Sequence, residues 1–298
     1  MLPTPFPAHR IRIDCVTTQR VDWPHFAGSM LRGAFGHSLR RASCVTGAAS
    51  CGGCPVRVNC PYSVVFEPLP PAQSSAITHA ANTATPPAYV MEPPMLGART
   101  MGSGDALSFH IVLIGPALTH QSIVMHALSA ALGTVCGKPD VLRCTGYQVI
   151  DAPTDSVQDI AGNVTITFST PFRVQRNGNP IRSGEQLTAR NVMMSTVKRV
   201  AQVCETLLGT STDDIPFRAL ADAASTVEMA HTLVWHDLAR YSERQHHHIP
   251  VGGLIGSVHL RGELAPFAPY LHLCQWLHIG KESAFGLGQY RLLPPSTR

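Results

Sequence analysis

Four of the nine cysteines in this 298-residue sequence fall in one short segment, Cys44-x6-Cys51-x2-Cys54-x5-Cys60. A Cys-Gly-Gly-Cys turn lets two thiolates converge on one ion, and tetrahedral Zn²⁺ prefers four such soft donors. An iron–sulfur cluster also takes four cysteines, and four unliganded thiols in a loop are a third alternative. We predict structural zinc at residues 44–60, with the iron–sulfur cluster as the alternative metal. Four protein ligands would leave no position for a substrate.

A helix predicted to contain Phe26–Arg41 carries a second set of candidate residues. Its apolar stripe should face the core and comprises Ala27, Met30, Leu31, Ala34 and Phe35. Its other face carries Ser29, Gly33, His37 and Arg40, with Gly36 beside them. Glycine costs about 1 kcal/mol within a helix, so two glycines need a reason. Close approach of another backbone is one such reason, and an RNA strand is one candidate for that backbone. His37 and Arg40 would then combine a proton carrier with a phosphate-binding group. The alternative is a helix packed on a sheet, with His37 capping or facing solvent.

The C-terminal region contains the glycine pattern Gly280-x5-Gly286-x-Gly288 beside Lys281. Too few residues follow it for the helix and strand of a dinucleotide-binding unit. It predicts a flexible loop that could lie along a phosphodiester backbone, or else a hairpin in which glycine serves only packing. The upstream segment 240–248 ends in three histidines, for which metal binding is a weak alternative. Its other side chains suit RNA through phosphate pairing, stacking and base-edge hydrogen bonds; they include Arg240, Tyr241, Arg244 and Gln245.

The pattern of apolar residues predicts an α+β chain with a domain boundary at 158/159. Strands are predicted at residues 8–18, 63–66, 106–114, 143–150, 164–168, 172–176, 254–264 and 279–292. Besides the basic helix, which should end near Ser43, helices are predicted at residues 119–135, 188–208, 216–228 and 267–277. The proline-rich stretch 68–98 should be a surface loop or a linker. Two α+β units of similar order fit this pattern better than a doubly wound sheet.

The composition, 44% hydrophobic and 14% charged, excludes a disordered tail, a collagen-like chain and a coiled-coil rod. Neither a membrane-spanning run nor a secretory signal is evident, so we expect a soluble cytoplasmic protein with no membrane partner. The net charge of +4 is concentrated at the two ends of the sequence and is carried almost entirely by arginine. Arginine suits phosphate, which makes nucleic-acid binding plausible.

Two blocks of the sequence resemble a known family. The C-terminal block runs from RYSERQ through IPVGGLIGSVHLRGEL to LHIGKESAFGLGQYRL. It is similar to the CRISPR repeat-processing endoribonucleases of the RAMP superfamily, above all in Gly252-Gly253 with Gly256 and in the run His278–Gly288. The N-terminal block, MLRGAFGHSLRR with the cysteine segment and CPYSVVFEP, resembles a cysteine-containing branch of the same family. Together the blocks cover about a third of the chain.

The resemblance implies two tandem ferredoxin-like (RRM-like) domains, here residues 1–158 and 159–298, with the four-cysteine loop inserted in the first. It also implies cleavage of the CRISPR precursor transcript within each repeat, by metal-independent attack of the RNA 2′-hydroxyl. The products would be a cyclic phosphate and a 5′-hydroxyl. Many members use a histidine in or near the first helix, which here points to His37, with Arg40 or Arg41 stabilising charge. His25 and the segment 241–248 are rivals for the acid or base.

The residues expected to contact repeat RNA or crRNA are Arg32, Arg41, Arg240, Tyr241, Arg244, Gln245, Lys281, Gly286 and Gly288. Catalysis itself should need no cofactor, and other CRISPR effector subunits are possible partners. Two further functions stay open. One is a non-catalytic RAMP subunit that only grips guide RNA, and the other is a metal-dependent hydrolase that uses the histidine triplet.

Overall fold

The computed structural model describes residues 2–71, 85–151, 160, 162–242 and 247–293. It divides into two compact units. Of the described residues, the N-terminal unit comprises those of 2–151 together with Cys204–Thr210, and the C-terminal unit comprises those of 160–203 and 211–293. The predicted boundary at 158/159 lies outside the described residues. No helix in the described part of the chain is long and apolar enough to cross a membrane.

The N-terminal unit is built on an antiparallel sheet covered by helices. Its elements are β1 (Ala8–Thr17), β2 (Val21–Trp23), α1 (Gly28–Ser43), α2 (Pro61–Phe66), β3 (Tyr89–Glu92), β4 (Arg99–Met101), β5 (Ala106–Ile114), α3 (Gln121–Leu132) and β6 (Leu142–Asp151). The main sheet has the strand order β3-β5-β1-β6, and β2 pairs with β4. This is the βαββαβ arrangement of a ferredoxin-like fold.

The C-terminal unit repeats this arrangement with more insertions. Its elements are β7 (Asn163–Phe172), β8 (Gln175–Arg176), β9 (Asn179–Pro180), α4 (Ala189–Leu207), α5 (Phe217–Ser225), β10 (Glu228–His231), β11 (Val234–His236), β12 (Ala239–Ser242), β13 (His247–Pro250), β14 (Gly253–Arg261), α6 (Ala268–Leu277) and β15 (Tyr290–Leu293). The strand order is β10-β14-β7-β15, with β11 also pairing with β14, and β12 and β13 form a separate hairpin. The predicted α+β class therefore agrees with the structure.

Helix α1 packs on the N-terminal sheet through a face slightly rotated from the predicted one. Leu31, Phe35 and Leu39 are fully buried, whereas Met30 and Ala34 are only partly buried. The Phe35 ring meets Tyr89 of β3 edge-on at 5.3 Å between centroids. Such aromatic pairs add to the stabilisation that burial provides.

Four local predictions were wrong. The strand predicted over 172–176 is confined to Gln175–Arg176, because β7 continues to Phe172. Residues 63–66 are not a strand but part of helix α2, because Pro61 occupies the first helical turn, where proline is favoured. The proline-rich stretch 68–98 is not all loop, since Tyr89–Glu92 forms the fully buried strand β3. The strand predicted over 279–292 is confined to Tyr290–Leu293, and a turn-rich loop precedes it.

Candidate nucleic-acid interface and cysteine loop

The outward face of α1 presents two of the basic residues singled out from the sequence. His37 and Arg41 are exposed and stand one helical turn apart, a spacing at which side chains are neighbours. A Cβ added at Gly33, one turn before His37, would meet nothing within 4 Å. This strip of helix surface can therefore be approached closely. The rival histidine, His25, is also exposed in the segment before α1.

The glycine at position 36 has a different explanation from the one predicted. A Cβ added there would lie 2.5 Å from Cζ of the Phe66 ring. The close approach at Gly36 is thus made by an aromatic side chain of this protein, and Gly36 is buried. Of the two helix glycines, Gly33 is the one that leaves open space.

The guanidinium groups of Arg32 and Arg40 point to other parts of the protein. Arg40 Nη2 donates hydrogen bonds to the carbonyl oxygens of Ala48 and Ala49, at 2.6 and 2.9 Å. Arg32 lies 4.5 Å from the centre of the Phe66 ring. Arg40 therefore holds the backbone of the cysteine segment, and Arg32 stacks on α2. The proposed catalytic and RNA-binding roles of these arginines stay predictions.

The four clustered cysteines lie between α1 and α2 and line one small cavity of about 20 Å³. The Thr46 hydroxyl lies 3.8 Å from Cys44 Sγ and 3.7 Å from Cys54 Sγ. Hydrogen bonding from Thr46 lowers the pKa of Cys44, and burial raises that of Cys51. No group of three or more His, Cys, Asp or Glu side chains in the described residues is arranged to hold a metal ion. Thiolates are the kind of donor that Zn²⁺ takes, and the metal site stays a prediction.

Hydrogen bonds hold the glycine-rich segment of the C-terminal unit against the end of β7, which favours the packing role over the flexible loop among the two alternatives that the sequence left open. The Thr170 hydroxyl donates to the carbonyl of Gly286 at 2.7 Å, and the Gly288 amide donates to the carbonyl of Pro171 at 3.0 Å. The Lys281 amide donates to the carbonyl of Arg173 at 2.8 Å. The loop is therefore a fixed surface.

Two of the predicted RNA contacts in this loop are buried. Gly286 and Gly288 are inside the unit, whereas Lys281 is exposed. Gly288 has φ of +68°, and a Cβ there would lie 1.7 Å from the carbonyl oxygen of Ile279. These two glycines therefore shape the loop. Lys281 is the exposed one of the three predicted RNA-binding residues in this loop, and its contact with RNA stays a prediction.

The structure brings Arg240 onto the same loop. The Arg240 guanidinium lies 4.5 Å from the centre of the Phe285 ring, and its Nε is 3.6 Å from Glu282 Oε2. Arg240 is the second residue of β12 in the hairpin of β12 and β13, so this contact joins the hairpin to the loop. Arg244, Gln245 and His246 lie outside the described residues. Of Tyr241 and His248, only the backbone pairing within the hairpin is described.

Sequence reasoning missed the residues that complete this surface. Arg173 Nη1 donates to the carbonyl of Gly252 at 3.0 Å, which links the end of β7 to the start of β14. Arg182 stacks over the Trp235 ring at 5.0 Å. Glu282 and Phe285, which contact Arg240, were also overlooked. Glu282 and Phe285 lie inside the run His278–Gly288 that the sequence singled out, but they were given no role there. Arg173 and Arg182 come from a distant segment, so no spacing in the sequence connects them with this run.

Two known families match this chain, one in its N-terminal half and the other in its C-terminal half. Residues 166–290 match the family described as CRISPR-associated endoribonuclease Cas6, and residues 6–160 match a family described as an N-terminal domain. No curated protein sequence matches the chain.

Several solved structures share the fold. A partial Cas6-RT-Cas1–Cas2 complex is 14% identical with a TM-score of 0.62, over 100% of this chain and 48% of that chain. A product complex of Thermus thermophilus Cas6 is 14% identical with a TM-score of 0.56, over 96% and 99% of the two chains. A RAMP protein described as binding different RNA substrates is 9% identical with a TM-score of 0.54, over 96% and 100%. The chain thus spans about half the length of the first of these proteins.

Proposed function

Since residues 166–290 match the family described as CRISPR-associated endoribonuclease Cas6 and the fold is that of solved Cas6 and RAMP structures, we propose that this chain is a member of that family and cuts CRISPR precursor RNA within the repeats. The observation that carries the proposal is the fixed glycine-rich loop with its exposed Lys281, which lies inside the segment matched by the family. A rigid surface beside basic side chains can bind a phosphodiester backbone with little loss of conformational entropy.

The proposed reaction uses the RNA's own 2′-hydroxyl. A base on the protein removes the hydroxyl proton, the oxygen attacks the adjacent phosphorus, and the bond to the 5′ oxygen breaks. An acid protonates the departing 5′ oxygen, which leaves a 2′,3′-cyclic phosphate and a 5′-hydroxyl. The protein must align the attacking oxygen, exchange the protons and stabilise the charged phosphorane. No metal ion is required for these steps.

In this proposal His37 is the general acid or base, and Arg40 or Arg41 stabilises the phosphorane charge. The exposure of His37 and Arg41 on one strip of α1, beside the open surface at Gly33, supports the assignment. Arg40 already donates to two loop carbonyls, which makes Arg41 the stronger of the two arginine candidates. His25 is the competing histidine.

The proposal extends to partners. Repeat RNA would contact Arg32, Arg41, Arg240, Lys281 and the 240s segment, and the cleaved crRNA could remain bound as one end of an effector complex. The similar Cas6-RT-Cas1–Cas2 complex supports other CRISPR proteins as further partners. The site of action would be the cytoplasm, where the transcript is made.

Cleavage is tested with RNA transcribed from the repeat, incubated with the purified protein in excess EDTA. We expect cleavage to persist and to be abolished by a 2′-deoxy substitution at one position. His37→Ala should abolish cleavage while RNA binding is retained. His25→Ala tests the competing histidine, and loss of cleavage in that variant with activity kept in His37→Ala would move the role to His25. Tight binding without any cut would instead indicate the gripping subunit, and loss of cleavage in EDTA would favour the metal-dependent hydrolase.

We further propose that Cys44, Cys51, Cys54 and Cys60 bind structural zinc, with an iron–sulfur cluster as the alternative. Their convergence on one cavity supports this proposal. When bound, the metal would cross-link the loop between α1 and α2 and would take no part in cleavage.

The metal is identified by elemental analysis and by the absorption spectrum of protein purified without chelators. We expect about one zinc per chain, reduced by Cys51→Ser and unchanged by Cys144→Ser. Cys144 is a partly buried cysteine outside the cluster, which makes it the control. Iron with a visible absorption band would indicate a cluster. Protein that contains no metal and still shows a cooperative unfolding transition would refute both metals.

A further inference from the structure

Arg240 has two partners on the glycine-rich loop, and one of them is an acid. Its guanidinium packs on the Phe285 ring at 4.5 Å and lies 3.6 Å from the Glu282 carboxylate. The side chains of Arg240 and Glu282 are 18% and 28% exposed, so both remain within reach of a ligand. A phosphate approaching the loop would therefore meet an arginine whose charge is already opposed by a carboxylate.

The backbone at Glu282 is unusual for its residue type. Its φ is +62°, in the left-handed region that favours glycine or asparagine. Lys281, its neighbour, is exposed, and Glu282 is the residue that turns back toward the hairpin. A glutamate in a glycine-like conformation indicates that its side chain serves a purpose that loop geometry alone would not require.

We propose that Glu282 is a substrate-competing acid, which RNA phosphate displaces from Arg240 when RNA binds to the glycine-rich loop. The inference rests on the proposed RNA-binding function and adds a residue that limits affinity. Phosphate can displace the acid because Glu282 Oε2 lies 3.6 Å from Arg240 Nε, beyond hydrogen-bond distance. A phosphodiester can accept two short hydrogen bonds from the guanidinium, and the neighbouring phosphates of the strand add to the attraction. Stacking on Phe285 keeps the guanidinium in place during the exchange.

The consequence is weaker binding and faster release than the arginine alone would give. A two- to fivefold change in Kd is about 0.4–1 kcal/mol, which lies within the range for an ion pair at a partly exposed site. Breaking it during RNA binding should raise Kd by about two- to fivefold. A limit on RNA affinity benefits an enzyme that must release its product or transfer it to another protein.

The test measures the Kd and dissociation rate of the full chain with a repeat RNA that a 2′-deoxy substitution makes uncleavable. Glu282→Gln keeps the size and the backbone strain but removes the charge. We expect it to lower Kd by about two- to fivefold and to slow dissociation. Glu263→Gln, an exposed acid of the same unit with the same charge change, should leave Kd unchanged within a factor of about 1.5.

A double variant shows whether the effect passes through Arg240. In the Arg240→Gln background, which should itself bind RNA more weakly, Glu282→Gln is expected to have no further effect on Kd. An equal gain in both backgrounds, an equal gain from Glu263→Gln, or no gain from Glu282→Gln would each overturn the inference. Failure of wild-type protein and Glu282→Gln to bind any RNA would overturn it as well.

The same measurements on a scrambled RNA of equal length separate the inference from the proposed function. The Glu282 effect concerns phosphate and should appear with both RNAs. Equal affinity for repeat and scrambled RNA would count against repeat-specific processing. The Glu282 effect is judged separately, by comparing the Kd of Glu282→Gln with that of the wild-type protein on the same RNA.

Discussion

Two glycines in one helix, Gly33 and Gly36, allow the packing of α1 to be tested by the same substitution at both positions. Both lie inside α1, and replacement by alanine changes their intrinsic helix preference by the same amount. Their surroundings differ, since Gly33 faces open space and Gly36 faces the Phe66 ring. We expect Gly33→Ala to stabilise the protein and Gly36→Ala to destabilise it.

The magnitudes follow from two opposing effects. Alanine is favoured over glycine in a helix interior by about 1 kcal/mol, which is the full effect expected at Gly33. At Gly36 the new Cβ would lie 2.5 Å from Cζ and 2.7 Å from Cε2 of Phe66. Inserting a methyl group into a packed core costs about 1–3 kcal/mol. The net effect at Gly36 is therefore a loss of about 0–2 kcal/mol, and the two variants should differ by about 1–3 kcal/mol.

The ring of Phe66 has little freedom to move aside. It stacks on Tyr62 with 5.3 Å between centroids and lies 5.6 Å from Tyr89. Arg32 covers the ring at 4.5 Å. Phe66→Leu should therefore relieve the Gly36→Ala variant, and the double variant should be more stable than the sum of the two single changes.

The assay is urea unfolding followed by circular dichroism and by fluorescence, with the two signals compared to check that they report one transition. A Gly36→Ala protein as stable as Gly33→Ala would refute the assigned packing, and so would a destabilised Gly33→Ala protein. RNA binding by Gly33→Ala adds a functional result. If a nucleic-acid backbone approaches this strip of α1, the variant should bind more weakly although it is more stable.

The remaining predictions concern other parts of the two units. Gly288→Ala should destabilise the protein by about 2–4 kcal/mol and abolish RNA binding, measured by thermal unfolding and gel shift, because its Cβ would overlap the carbonyl of Ile279. Burial lowers the pKa of His110 below its usual 6.5. As the pH drops below about 6.5, this histidine is therefore protonated in the unfolded chain before it is protonated in the folded protein, and the free energy of unfolding decreases. His110→Gln should flatten that dependence in urea titrations between about pH 5 and 7. Burial lowers the pKa of Arg199 to about 10, which leaves it charged at neutral pH, and its Nε donates to the carbonyl of Leu277 at 3.0 Å. Arg199→Met should cost about 1–3 kcal/mol in urea unfolding, with partial rescue by lysine; an unchanged midpoint would contradict this.

Local periodicity predicted much of the fold. The strands β1 and β5 and the helix α4 were predicted to within a residue or two. Their apolar residues recur with the period of a strand or of a helix, because one face of each element is buried. The errors came where local signals competed with tertiary context. The adjacent valines of α2 favoured a strand, although Pro61 starts a helix there, and β3 is buried on both faces and so lacks the alternation that marks a strand.

The candidate site was predictable in its residue types and less so in their roles. The four cysteines, the exposed His37 and Lys281 stood out because unusual residue types cluster in the sequence. The sequence did not reveal that Arg40 binds two loop carbonyls or that Gly288 is buried. Both depend on a partner that folding brings near, and the side chain alone does not identify that partner.

Residue order alone thus determined the α+β class, the repeated order of elements and the groups capable of chemistry, because these follow from local patterns and from side-chain chemistry. Only the tertiary structure decided which arginine meets which acceptor. Arg240 opposes Glu282, and Gly36 accommodates Phe66, across separations that no periodicity spans. Long-range pairing is set by packing the whole unit, in which every contact depends on where the other elements lie.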